Sequence, residues 1–97
     1  MITSTANVTT ERASTYLQQL SKHFGHKAEV RFDPQSGQIK FPFGQCELKA
    51  NDTTLALIIT AQSQANLTKA ERVIASHLER FAFRENPEIT WRPFADT

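Results

Sequence analysis

The chain is poor in the residues and segments that mark secreted, membrane and nucleotide-binding proteins. Its single cysteine cannot form an intrachain disulfide, which excludes a disulfide-stabilised secreted scaffold. The three glycines each fall at a predicted turn, so no glycine-rich phosphate loop or dinucleotide fingerprint is present. The longest apolar run, residues 55–59, is too short to span a bilayer, and residues 1–10 lack the basic start and apolar run of a signal peptide. We therefore expect a cytoplasmic protein that does not insert into a membrane.

Charge of either sign is also not in excess. Eleven basic and ten acidic residues leave a formal net charge of +1, which argues against broad binding to nucleic acid driven by net charge. Arg80–Arg84 mixes aromatic and basic residues, but Phe81 falls on the core face of a predicted helix, so a nucleic-acid partner ranks last. A hydrophobic content of 39% and seven phenylalanines predict one folded domain over residues 1–97, with an ordered core at about residues 8–92.

Hydrophobic periodicity predicts two helices. Residues 1–8 are interpreted as a loose lead-in, and the first helix begins near Thr9 or Thr10 and ends at Gly25, where glycine tolerates a left-handed turn. The second helix runs from about Gln64 to about Phe83, with Pro87 beyond its end.

Between the helices, and after the second, the spacing is that of strands. Four segments alternate or are β-branched and apolar: 28–33, 39–43, 46–50 and 54–61. Pro42 should place the second of them at an edge or a bulge, and residues 88–92 add a last strand. The prediction is an α+β two-layer fold, with an antiparallel four- to five-stranded sheet, two helices on one face and the order α-β-β-β-β-α-β. Sheets of this kind also pair face to face or edge to edge, so a homodimer is compatible with the pattern.

All the histidines and the only cysteine lie in three aromatic and basic segments. On a helical wheel, His77 falls within the apolar arc, Arg84 points almost the same way and Arg80 lies at its flank. His23 lies at the edge of the stripe of the first helix, so two helices on one sheet face would let His23 and His77 approach each other. Cys46 joins them only if its strand turns that residue toward the helices.

These residue types support alternative chemistries. His23, His26, Cys46 and His77 are candidate ligands of a metal ion, although paired Cys-x-x-Cys spacing is absent. A cationic stripe can instead hold a carboxylate or phosphate, and its candidate residues are His77, Arg80, Arg84, Lys22 and His23, with Lys27 and Arg31 extending it. A nucleophilic Cys46 would need a nearby base. The simpler alternatives are a core histidine, a buried structural cysteine and surface ion pairs.

Three blocks of the chain together resemble one bacterial family. The blocks lie within residues 16–27, 32–48 and 77–85, and they are Lys22-His23-Phe24-x-His26-Lys27, Phe41-Pro42-Phe43-Gly44-x-Cys46 and His77-Leu78-Glu79-Arg80-Phe81-Ala82-Phe83-Arg84-Glu85. The family is catalogued as domain of unknown function 2218, and the likeness covers residues 8–92. The resemblance implies a small bacterial domain without an assigned activity, found alone or joined to flavin-dependent siderophore-interacting reductases.

The function expected from all this is a non-enzymatic binding or accessory domain in ferric-siderophore handling. Its partners would be an anionic small ligand and a siderophore-interacting reductase, and it would need no cofactor. The alternative is a small metal-binding protein that holds a metal ion with the His/Cys cluster.

Overall fold

A computed structural model describes residues 1–82, 84–85 and 88–93 and shows two helices packed on an antiparallel sheet. Within these residues the elements follow the order β1-α1-β2-β3-β4-β5-α2-β6. Their bounds are β1 Ile2–Thr9, α1 Ala13–Phe24, β2 Glu29–Phe32, β3 Ser36–Phe41, β4 Gly44–Ala50, β5 Thr54–Ala61, α2 Gln64–Phe81 and β6 Arg92–Pro93. The strands form one sheet in the order β2-β3-β4-β5-β1-β6. Within the described ranges, no helix is long and apolar enough to cross a membrane.

The register of the sheet places its buried side chains on one face. Ile39 lies opposite Cys46, which in turn lies opposite Ile59, and all three side chains are fully buried. Both helices cover this face, because Gly37 of β3 lies against Leu17 of α1 and Gly44 at the start of β4 lies against Ala70 of α2. The opposite face carries polar and charged side chains together with Ala56 and Ile58, all exposed or half-buried. The predicted two-layer α+β class is therefore confirmed.

Short polar side chains fix the turns by accepting hydrogen bonds from the backbone. The Asp33 carboxylate accepts from the amides of Gln35 and Ser36, each at 2.8 Å, and these bonds lower the pKa of Asp33. Ser63 caps α2 by accepting a bond of 3.2 Å from the amide of Asn66. The turn predicted at Asp33 is confirmed, and β5 has the bounds expected for it.

The N-terminal segment contradicts its interpretation as a loose lead-in. Ile2–Thr9 forms β1, which pairs with β5 over its full length and places β6 on its other side. The sheet has six strands in the described residues instead of four or five. The residues of β1 that face the helices are Ser4, Ala6 and Val8, all buried. Because serine and alanine are small and weakly hydrophobic, their alternation with threonine and asparagine does not stand out in the sequence.

Three local features near the ends of these elements also differ from expectation. The first helix begins at Ala13, because β1 continues to Thr9, and the Thr10 hydroxyl accepts from the Arg12 amide at 3.0 Å. Gly25 follows the last residue of that helix, as predicted, but its φ of −59° makes it right-handed rather than left-handed. Pro42 lies in the turn between β3 and β4 and not within a strand.

The C-terminal predictions are met in part. The last helix ends at Phe81, whereas its predicted end near Phe83 and the following Pro87 lie outside the described residues. The last strand is limited to Arg92–Pro93, and residues 88–91 are described without strand structure.

Candidate functional site

His23 and His77 meet where the end of α1 packs beside α2. Their ring centroids are 4.7 Å apart with a tilt of 46°. Phe24 contacts the His77 ring edge-on at 4.8 Å, and Phe81 contacts the His23 ring at 5.9 Å. We call these four rings the histidine cluster. The predicted approach of His23 to His77 is present in the fold, because both helices cover the same sheet face.

The hydrogen bond of His77 fixes which ring nitrogen is available. Its Nδ1 lies 2.7 Å from the carbonyl oxygen of Val73, one helical turn earlier. A carbonyl only accepts hydrogen bonds, so Nδ1 carries the proton and donates it. In the neutral ring Nε2 then has a free lone pair that can accept a hydrogen bond or bind a metal. His77 is half-buried, so it is neither a fully enclosed core histidine nor a freely solvated one.

An aromatic ladder continues from the cluster to the β3–β4 turn. Phe24 meets Phe41 edge-on at 5.1 Å, and Phe41 stacks on Phe43 at 4.9 Å with planes only 9° apart. Lys69 of α2 places its ammonium 4.7 Å above the Phe43 ring. All three phenylalanines pack against the core, so the ladder provides a rigid apolar wall for the histidine cluster.

Bases dominate the surroundings of His23. Burial lowers the pKa of His23, and the positive charges of His77, Lys27, Arg80 and His26 lower it further. Because both causes disfavour the imidazolium, the ring is mainly neutral at pH 7. An anion bound among these groups would offset their positive charges and so favour the protonated form of His23.

Cys46 lies in the core and not at this surface. Its side chain is fully buried, and its Sγ lies 3.7 Å from the Glu47 carbonyl oxygen. Burial raises the pKa of the Cys46 thiol to about 12, so the thiolate needed for nucleophilic chemistry does not form at neutral pH. The strand does turn Cys46 toward the helices, as the predicted site required, but close packing encloses it there.

The proposed metal ligands do not form a complete ligand group. Across the described ranges of the chain, no three histidine, cysteine, aspartate or glutamate side chains are arranged to hold a metal ion. His23 and His77 touch, His26 is exposed at the end of α1 and Cys46 is enclosed by the core. The metal site of His23, His26, Cys46 and His77 stays a prediction.

The candidate anion ligands divide between two faces. Lys22 and Arg80 are exposed in the last turns of α1 and α2, and Arg84 is exposed after α2. Cations at these ends also complement the helix dipoles. Arg31 of β2 pairs with Gln38 of β3 and lies on the face opposite the helices. Contrary to expectation, it therefore does not extend the cationic stripe.

Sequence reasoning missed a hydrogen-bonded group around Glu85. The Thr10 hydroxyl donates to both carboxylate oxygens of Glu85, at 2.8 and 3.1 Å, and the Tyr16 hydroxyl also donates to this carboxylate. These bonds lower the pKa of Glu85, while burial and then Glu85 raise the pKa of Tyr16. The three residues join the end of β1, the first turn of α1 and the segment after α2. No local sequence motif predicts this group, because Glu85 is 69 residues from Tyr16 and 75 residues from Thr10.

Comparison with known proteins identifies a family and a solved structure to which the chain is similar. The sequence model of a family described as uncharacterized protein conserved in bacteria (DUF2218) matches residues 5–92. The NMR structure of PA4090 from Pseudomonas aeruginosa is 39% identical in sequence, covers 95% of this chain and 96% of that chain, and superimposes with a TM-score of 0.81. No curated protein matches the chain.

Proposed function

The chain belongs to the DUF2218 family of uncharacterized bacterial proteins, and from this premise we propose that it is a non-enzymatic accessory domain that binds an anionic ligand at the histidine cluster. The ligand class that we assign to it is the ferric siderophore. The reaction partner that we assign is a siderophore-interacting flavin reductase, which would act on the chelate that this domain holds.

The observation that carries the proposal is the one-sided charge around His23. Four basic residues, His77, Lys27, Arg80 and His26, lower the pKa of His23, and no carboxylate of the described residues is among the groups that shift it. A surface of this kind favours an anion, and Arg80 offers a guanidinium that can grip two oxygen atoms at once. The free Nε2 of His77 adds a group that accepts a hydrogen bond or, once protonated, donates one.

A chelate suits this surface better than a small inorganic anion does. Phe24 is buried, but the half-buried ring of Phe81 contacts the His23 ring, so the cationic patch adjoins apolar surface. Many ferric siderophores combine negative charge with aromatic or aliphatic arms. Their charge would match the cationic patch, and their arms would match the adjoining apolar surface. The buried Cys46 supplies no nucleophile, so the arrangement favours holding a ligand over transforming it.

The reductase role rests on association within the resemblance. Similar domains joined to siderophore-interacting flavin reductases would hold the chelate close to the flavin, which raises its effective concentration. In a separate chain the same role requires a docking contact, and its test is co-elution with the reductase in the presence of the chelate.

The binding experiment compares two ferric chelates of similar size and different charge. Isotope-labelled protein is titrated at pH 7 with a trianionic ferric tris-catecholate and with a neutral ferric tris-hydroxamate, substituting gallium for iron to avoid paramagnetic broadening. We expect saturable shifts at His23, His77 and Arg80 with the anionic chelate, weakened as salt is raised. Binding should also raise the pKa of His23, because the anion offsets the neighbouring positive charges.

Two variants make the result specific. Arg80→Gln should weaken binding of the anionic chelate by about tenfold, which corresponds to loss of one charge-assisted contact. Arg31→Gln removes the same charge from the opposite sheet face and should leave binding unchanged. Equal affinity for the two chelates, or equal loss in the two variants, would rule out the histidine cluster as an anion site.

A further inference from the structure

A second cleft lies away from the histidine cluster, between β1, β6 and the N-terminal half of α2. Its volume is about 620 Å³, which is within the range of small-molecule pockets. Trp91, Leu67 and Ile2 form its apolar walls, and Glu71 of α2 is the only charged side chain among the described residues that line it, which also include Met1 at the terminal amine. The cleft thus combines one carboxylate with an aromatic ring and aliphatic surface.

The Glu71 carboxylate is held in place without being neutralised. The buried hydroxyl of Ser4 donates to Oε2 of Glu71 at 2.6 Å, which orients the carboxylate. The same hydroxyl lies 3.3 Å from the Arg92 carbonyl oxygen, a second acceptor. Within residues 1–82, 84–85 and 88–93, Glu71 has no cationic partner, and half-burial reduces the hydration that would otherwise satisfy it.

We infer that this cleft binds an organic cation, a primary alkylammonium or guanidinium group, with its charged head on Glu71 and its carbon chain on Trp91 and Leu67. An ammonium or guanidinium donates to the lone pairs that Ser4 leaves free, in a charge-assisted bond. The tryptophan ring adds cation–π attraction or apolar contact along the chain. This inference does not rest on the anion site, because no residue is shared between the two.

The competing account gives Glu71 a structural role only. Ser4 is 2% exposed and needs an acceptor for its proton, so the hydrogen bond could exist for packing alone. The two accounts differ in what a glutamine does at this position. Its side-chain oxygen still accepts from Ser4 and preserves packing, whereas its lost charge removes the attraction for a cation.

Trp91 makes the test direct, because it is the only tryptophan of the chain and lines the cleft. Tryptophan fluorescence of the full chain is followed at pH 7 during titration with hexylamine, which is protonated at this pH, and with hexan-1-ol, which has the same carbon chain without charge. We expect a saturable change with the amine and none with the alcohol. Glu71→Gln should weaken binding of hexylamine by at least about tenfold, while Glu79→Gln, at an exposed position, should leave this affinity unchanged.

A lysine peptide with blocked ends separates the two sources of such a cation. If the peptide binds more tightly than hexylamine, the natural ligand is a side chain of a partner polypeptide. If hexylamine binds more tightly, the natural ligand is a free amine. Backbone NMR of each variant confirms that it is folded, and shifts in the wild-type chain should centre on Ser4, Glu71 and Trp91. No saturable change with either cation, or equal responses of wild type and Glu71→Gln, would overturn the inference.

Discussion

At the scale of single residues, burial decides what each reactive side chain of this protein can do. Cys46 and the three histidines are all capable of metal binding or acid–base chemistry, but only the histidines reach the surface. His77 is further restricted by its bond to Val73, which leaves one nitrogen for a ligand. Of these four side chains, the histidines are therefore the ones that a ligand can reach, while the thiol contributes to packing.

The thiol of Cys46 should be unreactive in the folded protein. With a pKa of about 12, only about one thiol in ten thousand is ionised at pH 8, and its full burial blocks access. Labelling with a thiol-specific disulfide reagent should follow the unfolding rate, whereas protein in urea should react at once. Cys46→Ala should cost about 1 kcal/mol and leave chelate binding unchanged. Rapid labelling of the folded chain would contradict the enclosed position of the thiol.

Glu85 should stabilise the fold in a pH-dependent way. Its pKa is lowered in the folded state by the bonds from Tyr16 and Thr10, so its contribution is fully present above the ordinary glutamate pKa and is lost as the pH falls through the lower folded value. Glu85→Gln should lower the unfolding free energy at pH 7 by roughly 1 kcal/mol, a value reduced by solvent exposure, and should flatten this acid dependence. Urea unfolding at several pH values measures both, and Glu79→Gln should change neither.

At the scale of elements, a glycine lets α1 pack closely against β3. Among the described glycines of the sheet, Gly37 has the closest helix atoms around its Cβ position. A Cβ at Gly37 would lie 3.2 Å from the Ser21 Oγ and 3.4 Å from Leu17 Cδ2. The first distance is shorter than an ordinary van der Waals contact, and the second is at its lower limit. The Ser21 hydroxyl is fully buried and has no hydrogen-bond partner in the described part of the chain. Glycine at 37 thus lets α1 approach the sheet so closely that the Ser21 hydroxyl is shielded from water.

Adding a methyl group at this contact should destabilise the protein. We expect Gly37→Ala to cost roughly 1–3 kcal/mol through overpacking, whereas Gly25→Ala, at a right-handed position with room for Cβ, should be neutral or slightly stabilising. Ser21→Ala removes the nearest clashing atom and an unsatisfied hydroxyl, so it should recover part of the loss in the double variant. Thermal unfolding of the four variants checks this, and additive effects of Ser21→Ala and Gly37→Ala would contradict direct contact.

At the scale of the whole molecule, the sequence predicts elements with strong periodicity better than the sheet that they build. The bounds of β5 and the start of α2 follow from β-branched and helical spacing, which are local signals. The pairing of β1 between β5 and β6 is not local, since it joins residues at least 45 positions apart. In the same way, helical spacing predicts that His23 can approach His77, while the exposure of the rings and the enclosure of Cys46 depend on packing by the complete sheet.

The last prediction concerns β1, because the identity of this strand decides whether the sheet is complete. Val8 is 1% exposed and pairs opposite the buried Leu55, so Val8→Asp should place an unpaired charge in the core and cost more than about 3 kcal/mol. Asn7→Asp introduces the same charge one residue earlier on the exposed face and should change stability by less than about 0.5 kcal/mol. Urea unfolding followed by far-UV circular dichroism measures the pair. A loose lead-in would tolerate both substitutions equally, whereas a strand between β5 and β6 requires this difference, because successive side chains of a strand point to opposite faces.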